Sequence, residues 1–434
     1  MNSKTTQLDR RQILKYGLRS VAGAACLGSG LETLLRHGHG VEAFAQATAA
    51  APYPVIQICL IDKVQQALIF PATGTIAAGD LNGLDGDGLT YRGEDLGGQA
   101  LPGNAVSFRG MQLTALFGNR LQAGLADGYN LAFIPQFTSQ AGGHSLLNTD
   151  LSVDEGGMNF LIDQQGTSRG LLGFVGFNIS GDANDSRDAA VAPGRIPLPT
   201  YDNAGQIRDT LRNTIAPLNA DQAFLDFRRR LDGLAIRDSR VLDTLLGIRE
   251  RVNPVLPGLA AASGAADIVD SQLSSVIALA NAGLAHNFMI AIPWDDTNGG
   301  GDLGNGGGQA RISPVEGVAM LAEVYNRLSR ELPRAITVTV SDGGRSRNNG
   351  DAAGGLAIVS GPADLVQHTV LGQITALGNL GNTGAMARAG SDILLSNGEN
   401  VRMLEHRHIL SLVAKISHGI TSKQPWPVGI AQNI

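Results

Sequence analysis

Pro54-Val55-Ile56-Gln57-Ile58-Cys59-Leu60-Ile61-Asp62-Lys63 is the stretch on which the fold turns. Between Val55 and Ile61 only Gln57 is polar. A near-continuous apolar run of strand length marks a strand covered on both faces of a parallel sheet, because a strand with one wet face would alternate. Working outward, residues 129–134, 288–292 and 335–340 are runs of the same kind. The intervals carry helical periodicity over residues 111–127, 267–282 and 314–332. Residues 220–252 form a longer helical section, with Phe224, Phe227, Leu231, Leu234, Val241, Leu245 and Ile248 on one stripe. Repeated helix-then-strand order predicts an α/β domain: a central, mostly parallel sheet with helices on both faces and long Gly-rich loops. Two late helices are expected, one from Leu365 onward that His368 opens, and one over residues 402–418. Residues 71–110, rich in Gly and Asp, read as a long excursion. Residues 169–220, with Pro193, Pro197, Pro199 and Pro217, read as a polar surface wrap.

The bulk composition fits such a domain. Of 434 residues, 43% are hydrophobic and 17% charged, far from the balance of a disordered chain. Lys and Arg number 33 against 39 Asp and Glu, so the chain has no electrostatic footprint for nucleic acid or anionic lipid. Of the two cysteines, Cys26 lies inside a cleavable leader and Cys59 in an apolar run, so removal of the leader leaves one thiol and no intrachain disulfide in the mature chain.

That leader occupies residues 1–47. Asp9-Arg10-Arg11-Gln12-Ile13-Leu14-Lys15 precedes a glycine-diluted apolar stretch, and Ala43-Phe44-Ala45 and Ala45-Gln46-Ala47 offer small-residue cleavage sites. This is a twin-arginine export signal. It implies the export machinery as a partner, a periplasmic or extracellular location, and a mature single domain over residues 48–434. Gly23-Ala24-Ala25-Cys26 has the small residues of a lipidation site, but Gly23 stands where a large aliphatic residue is usual. No run approaches the ~18 uninterrupted apolar residues of a membrane span.

In an open α/β sheet, ligands bind beyond the carboxyl ends of the strands. The residues after the predicted strands are Asp62-Lys63, then residues 138–148 with His144 and Ser145, then Asp295-Asp296-Thr297-Asn298, then Asp342-Gly343-Gly344-Arg345 with Asp351 behind it. Carboxylates on separate loops with a His suit a divalent cation such as Zn, Ca, Mg or Mn: hard oxygens hold the ion and open positions admit substrate. Asp62, His144, Asp295, Asp296, Asp342 and Asp351 are the candidate ligands. Ser145, Thr138 or Thr297 would offer a nucleophilic hydroxyl, and Arg345 a bidentate grip on an anion. The same residue types also serve as turn formers, helix caps and solvated surface groups. His286, His406, His408 and His418 read as structural. There is no G-x-S-x-G elbow, P-loop, zinc-protease motif or dinucleotide fingerprint.

These features together resemble a family of twin-arginine-exported bacterial proteins allied to the sulfatase and alkaline phosphatase superfamily. The resemblance rests on the leader motif, on Gly143-His144-Ser145-Leu146-Leu147-Asn148 with the acidic stretch after it, on Ile292-Pro293-Trp294-Asp295-Asp296-Thr297, on Val340-Ser341-Asp342-Gly343-Gly344-Arg345-Ser346, and on the closing helix. It implies an alkaline-phosphatase-like domain, a metal-dependent centre and a small phosphate or sulfate ester as substrate. Where the family pattern reads Asp-Thr-His, this chain has Asp296-Thr297-Asn298. Where the family has an Asp-His pair, this chain has Asp351-Ala352. Two expected histidine ligands are replaced, and the second reading is a non-catalytic envelope module that keeps the fold and binds a protein partner.

Overall fold

The computed structural model describes residues 53–60, 69, 105–138, 171–172, 174–177, 200–201, 203–219, 247–259, 265–292, 314–341, 344–345, 351–352, 355–372, 392–419 and 424–432. Its centre is a nine-stranded sheet. In chain order its strands are β1 (Val55–Leu60), β4 (Tyr129–Thr138), β5 (Val175–Phe177), β6 (Thr200–Tyr201), β7 (Asn287–Ile292), β8 (Ile336–Ser341), β11 (Gly355–Pro362), β12 (Thr369–Val370) and β15 (Leu404–Glu405). Small two-stranded sheets supply the intervening numbers: β2 (Ala105–Phe108) with β3 (Met111–Thr114), β9 (Gly344–Arg345) with β10 (Asp351–Ala352), and β13 (Ile393–Leu394) with β14 (Asn400–Val401). The main sheet runs β12-β4-β11-β8-β1-β7-β5-β6, with β15 also pairing to β4. Every strand except β11 points the same way.

The four apolar runs read from the sequence are therefore four parallel strands of one sheet. Their alternate residues feed two packed layers. Ile56, Ile58 and Leu60 of β1 join one layer; Val55 and Cys59 join the other. The first layer is covered by α1 (Ala115–Gly124), α2 (Ala204–Asn219), α3 (Ala265–Asn281) and α4 (Pro314–Glu331). The second is covered by α5 (His406–His418) and the closing segment around Ile430. Gln57, the one polar residue of β1, is buried on the second face and donates to Cys59 Sγ at 3.5 Å.

Four expectations need correction. Residues 111–127 are not one helix: Met111–Thr114 pairs with Ala105–Phe108 across a turn in which Arg109 and Gly110 have φ of 47° and 86°. Two consecutive positive-φ residues give the tight hairpin twist that adjacent strands require, so the turn overrides the helical pattern. The helix starts only at Ala115, where Thr114 accepts the Phe117 N–H. Second, the described part of residues 169–220 is not a surface wrap, while Pro193, Pro197 and Pro199 lie outside the described residues. That part contains β5 and α2, and Val175, Phe177, Ile207, Leu211 and Ile215 are buried. Third, no helix opens at Leu365. Val366 bridges Ala431, and His368 leads into β12. Fourth, α5 begins at His406 rather than Arg402, because Leu404 and Glu405 are drawn into pairing with Phe137 and Thr138 of β4.

Strand β11 was not legible in advance. It is the antiparallel strand between β4 and β8.

Candidate functional site

Parallel strands bring their carboxyl ends to one rim. Leu60 at the end of β1 is in register with Ile292 at the end of β7 and with Ser341 at the end of β8. Strand β4 ends at Thr138, beside Glu405. The chain leaves β1 toward β4 on one side and returns through β5 and β7 on the other. The order of connection thus reverses at β1, the place where open α/β sheets bind ligands.

Residues Asp62, His144, Ser145, Asp295, Asp296 and Asp342 lie outside the described residues, as does Thr297. They follow the ends of β1, β4, β7 and β8 in the sequence. Arg345 and Asp351 are described at the level of the backbone and are brought together, since they are partners across the β9–β10 hairpin. That hairpin joins the end of β8 to the start of β11. Thr138 ends β4, at the rim.

Two elements hold the rim in place. Strand β7 is described as pairing with β5 only through Val175 and Gly176, the latter opposite Met289. Beyond that point the buried carboxamide of Gln272, from α3, takes over: its Oε1 accepts the Ala291 N–H at 2.9 Å and its Nε2 donates to the Ala291 carbonyl at 3.4 Å. A side chain thus stands in for a neighbouring strand at the last turn of β7. The second element is the start of α5. Glu405 N–H donates to His408 Nδ1 at 3.1 Å, the Glu405 carboxylate accepts from the backbone of His408, and Arg407 Nε lies 2.6 Å from Glu405 Oε2. This is a capping box with His in the place of Glu or Gln. His406 and His408 are both buried, at the rim. Sequence reading missed Gln272 altogether, and no local pattern marks it. It missed the rim position of His406 and His408 because nothing local reveals that Leu404 pairs with Phe137.

The remaining described histidines sit at the opposite edge. His368 Nδ1 accepts the Leu131 N–H at 3.5 Å, its Nε2 is 3.4 Å from the Phe108 carbonyl, and its ring meets Phe108 edge-on at 5.4 Å. Burial lowers its pKa. Leu131 lies seven residues before Thr138, so ~23 Å of strand separates His368 from the rim; it does not line the crevice. His286 precedes β7, and its carbonyl accepts the Val55 N–H at 2.7 Å. Burial and the charges of His418 and Arg251 lower its pKa to about 4, and burial lowers that of His418 to about 4.

Among the described residues no three His, Cys, Asp or Glu side chains are grouped to hold a metal ion, and no helix is long and apolar enough to cross a membrane. Compared with protein families, curated proteins and solved structures, the chain returns no match.

Proposed function

We propose that the chain is an exported protein of the alkaline phosphatase and sulfatase type, a metal-dependent hydrolase of phosphate or sulfate esters with a reduced metal site. The observation that carries this reading is the common rim: β1, β7 and β8 run in one direction and end in register at Leu60, Ile292 and Ser341. Asp62, Asp295, Asp296 and Asp342 follow those ends within four residues of sequence. The pairing of Arg345 with Asp351 supports an anion-binding group beside an acid.

In this reading Asp62, His144, Asp296 and Asp342 hold or orient a divalent cation, with Asp295 and Asp351 nearby. The donor set is mostly hard oxygen, which suits Mg, Mn or Ca, and one imidazole extends it to Zn. When bound, such an ion polarises a phosphoryl or sulfuryl oxygen. Ser145 supplies the attacking hydroxyl, and Arg345 grips the ester anion bidentately. The leader over residues 1–47 directs the folded chain to the periplasm or beyond it.

One specific observation favours a second reading. Asn298 and Ala352 stand where the family pattern has histidine, and a site short of two imidazoles suits an envelope binding or assembly module that retains the fold. Turnover of a phosphate and a sulfate ester panel by the mature protein with Zn, Mg, Mn and Ca, alongside His144→Ala, separates the two. Metal-dependent turnover that the variant loses supports the hydrolase. No bound metal and no turnover with any ion refutes it and leaves the module.

A further inference from the structure

We propose that Asn397 is a self-modification site: its side-chain amide is converted, through a ring closed by the nitrogen of Gly398, into an aspartyl or isoaspartyl residue that loosens the closing segment of the chain. Asn397-Gly398 is an Asn-Gly pair. Glycine is the successor that hinders attack on an Asn side chain least, because it has no Cβ and takes up many backbone conformations.

The pair stands at the tip of a tight hairpin. Gly398 N–H donates to the Leu395 carbonyl at 2.9 Å, and Leu395 N–H donates to the Glu399 carbonyl at 2.8 Å. Ser396, Asn397 and Gly398 therefore form a three-residue loop between β13 and β14, and Gly398 takes the positive φ, 88°, that such a loop demands of its last residue. Ser396, Asn397, Gly398 and Glu399 are all exposed. A Cβ built on Gly398 would meet nothing within 4 Å, so no neighbour obstructs a ring at this place and hydroxide reaches it from solvent. The carboxamide is also turned toward its own backbone: Asn397 Oδ1 accepts the Glu399 N–H at 3.1 Å. That bond folds the side chain back over the Gly398 peptide. It also stabilises negative charge on Oδ1, where charge develops when a nitrogen attacks Cγ.

The conversion balances with water as the one co-reactant. The Gly398 nitrogen loses its proton to hydroxide and bonds to Asn397 Cγ; the Cγ–Nδ2 bond breaks, and the side-chain nitrogen leaves as ammonia. Water then opens the succinimide. Cleavage of the new Cγ–N bond gives Asp. Cleavage of the original peptide C–N bond frees the α-carboxylate and leaves the chain running through Cγ, one methylene longer. The bond that must open first, from Gly398 N–H to the Leu395 carbonyl, lies at an exposed tip, among those that open most readily.

What the hairpin holds gives the change its consequence. Strand β13 and the loop anchor the segment after α5: Ser396 N–H donates to the Trp426 carbonyl at 2.8 Å, Val428 N–H to the Leu394 carbonyl at 2.9 Å, and Trp426 N–H to Ser396 Oγ at 3.1 Å. Ser411 Oγ of α5 binds the same segment through the Gln424 carbonyl at 2.6 Å. A new carboxylate stands two residues from Glu399. An added backbone methylene in so short a loop disturbs the pairing of Ile393 with Val401 and of Leu394 with Asn400. Conversion at the tip is thus a slow, one-way release of residues 424–428 from the ribbon that holds them.

Incubation of the purified, folded protein across a pH series, followed by peptide mass spectrometry and enzymatic methylation of isoaspartyl groups, tests the site. The peptide carrying Asn397 should gain the mass of an amide-to-acid change and accept the methyl label. Conversion should run about tenfold faster per pH unit, since each unit is a factor of ten in the deprotonated nitrogen. Hydrogen exchange of residues 424–428 should be faster in the converted fraction while β1, β7 and β8 stay protected. Asn397→Gln, whose longer side chain would have to close a larger ring, should show neither change on the same schedule. An Asn397 that stays intact in the folded protein while the urea-unfolded chain converts would overturn the proposal, as would conversion that leaves exchange of residues 424–428 unaltered, or equal acceleration in aged Asn397→Gln.

Discussion

Replacing Gln272 tests whether the rim is held by a side chain standing in for a strand. Gln272 is 3% exposed and Ala291 is 3% exposed, so neither can turn to water for the bonds they share. Gln272→Met keeps nearly the same volume and removes both polar groups. The Ala291 N–H then loses its partner at 2.9 Å, and a buried donor left unsatisfied costs ~1–3 kcal/mol. The longer bond to the Ala291 carbonyl, at 3.4 Å, adds less, because a carbonyl tolerates partial loss better than an amide does. Gln272→Ala adds a cavity and should cost about 1 kcal/mol more than Gln272→Met. Urea unfolding monitored by circular dichroism reads the difference. With a slope of ~3 kcal/mol per M, the Met variant should lower the midpoint by about 0.3–1 M with the slope unchanged. Exchange of the Ala291 amide should rise out of proportion to the global change, since the damage is local to the end of β7. A Gln272→Met midpoint within about 0.1 M of the parent, with Ala291 still protected, would show that another group holds this amide and that the clamp is incidental.

Gly124→Ala sets helix propensity, worth ~1 kcal/mol in favour, against a Cβ only 2.6 Å from Asn326 Nδ2 and 2.7 Å from Asn326 Cγ. Asn326 is buried and donates to the Arg120 carbonyl at 3.0 Å; it has little room to give, and the net effect should be a loss of about 1–2 kcal/mol in thermal or urea unfolding. Tyr325→Phe removes the buried hydroxyl paired with Thr339 Oγ1 at 2.5 Å and should cost ~1–2 kcal/mol by the same assay. Burial raises the pKa of both Tyr129 and Tyr325, so alkaline spectrophotometric titration should leave these two phenols protonated until the chain unfolds. Arg327→Met removes pairs with Asp270 and with Glu331, the latter at 2.8 Å; both acids are exposed enough for solvent screening, and the loss should stay below about 1 kcal/mol and shrink in high salt.

How much of this was legible depended on whether the signal was local. Val55–Leu60 announces itself because both faces are buried, so no alternation interrupts it. Strand β11 carries the same two-faced burial from Leu356 to Ser360 but is framed by Gly355, Gly361 and Pro362, residues that punctuate turns. Its polar member, Ser360, looks out of place until the partner strands are known. It then proves to be one link of a buried chain in which Ser360 donates to Tyr129 Oη at 3.0 Å and accepts from the Thr337 hydroxyl at 2.6 Å. Helix α2 was readable from Ile207, Leu211 and Ile215 at four-residue spacing, yet the prolines around it pulled the reading toward a loop. In the candidate site, the positions after the strands follow from sequence; the partners that fix those strands, Gln272 and Leu404, are set by tertiary pairing and leave no local mark.

The two edges of the sheet explain why position says more than residue type here. Five histidines are described, and residue type alone would treat them alike. At the amino-terminal edge His368 is tied to backbone groups of Leu131 and Phe108, and His286 and His418 are kept neutral by burial. At the carboxyl rim His408 is bonded to the Glu405 amide, and His406 is buried where β15 meets the end of β4. Burial disfavours charge on the first group in the folded chain, so it answers to pH through stability. The second lies beside a carboxylate, an arginine and the strand ends. Residue type does not separate the two groups; the end of the strands at which each stands does, and the rim pair lies at the carboxyl ends, where an open α/β sheet gathers its ligands.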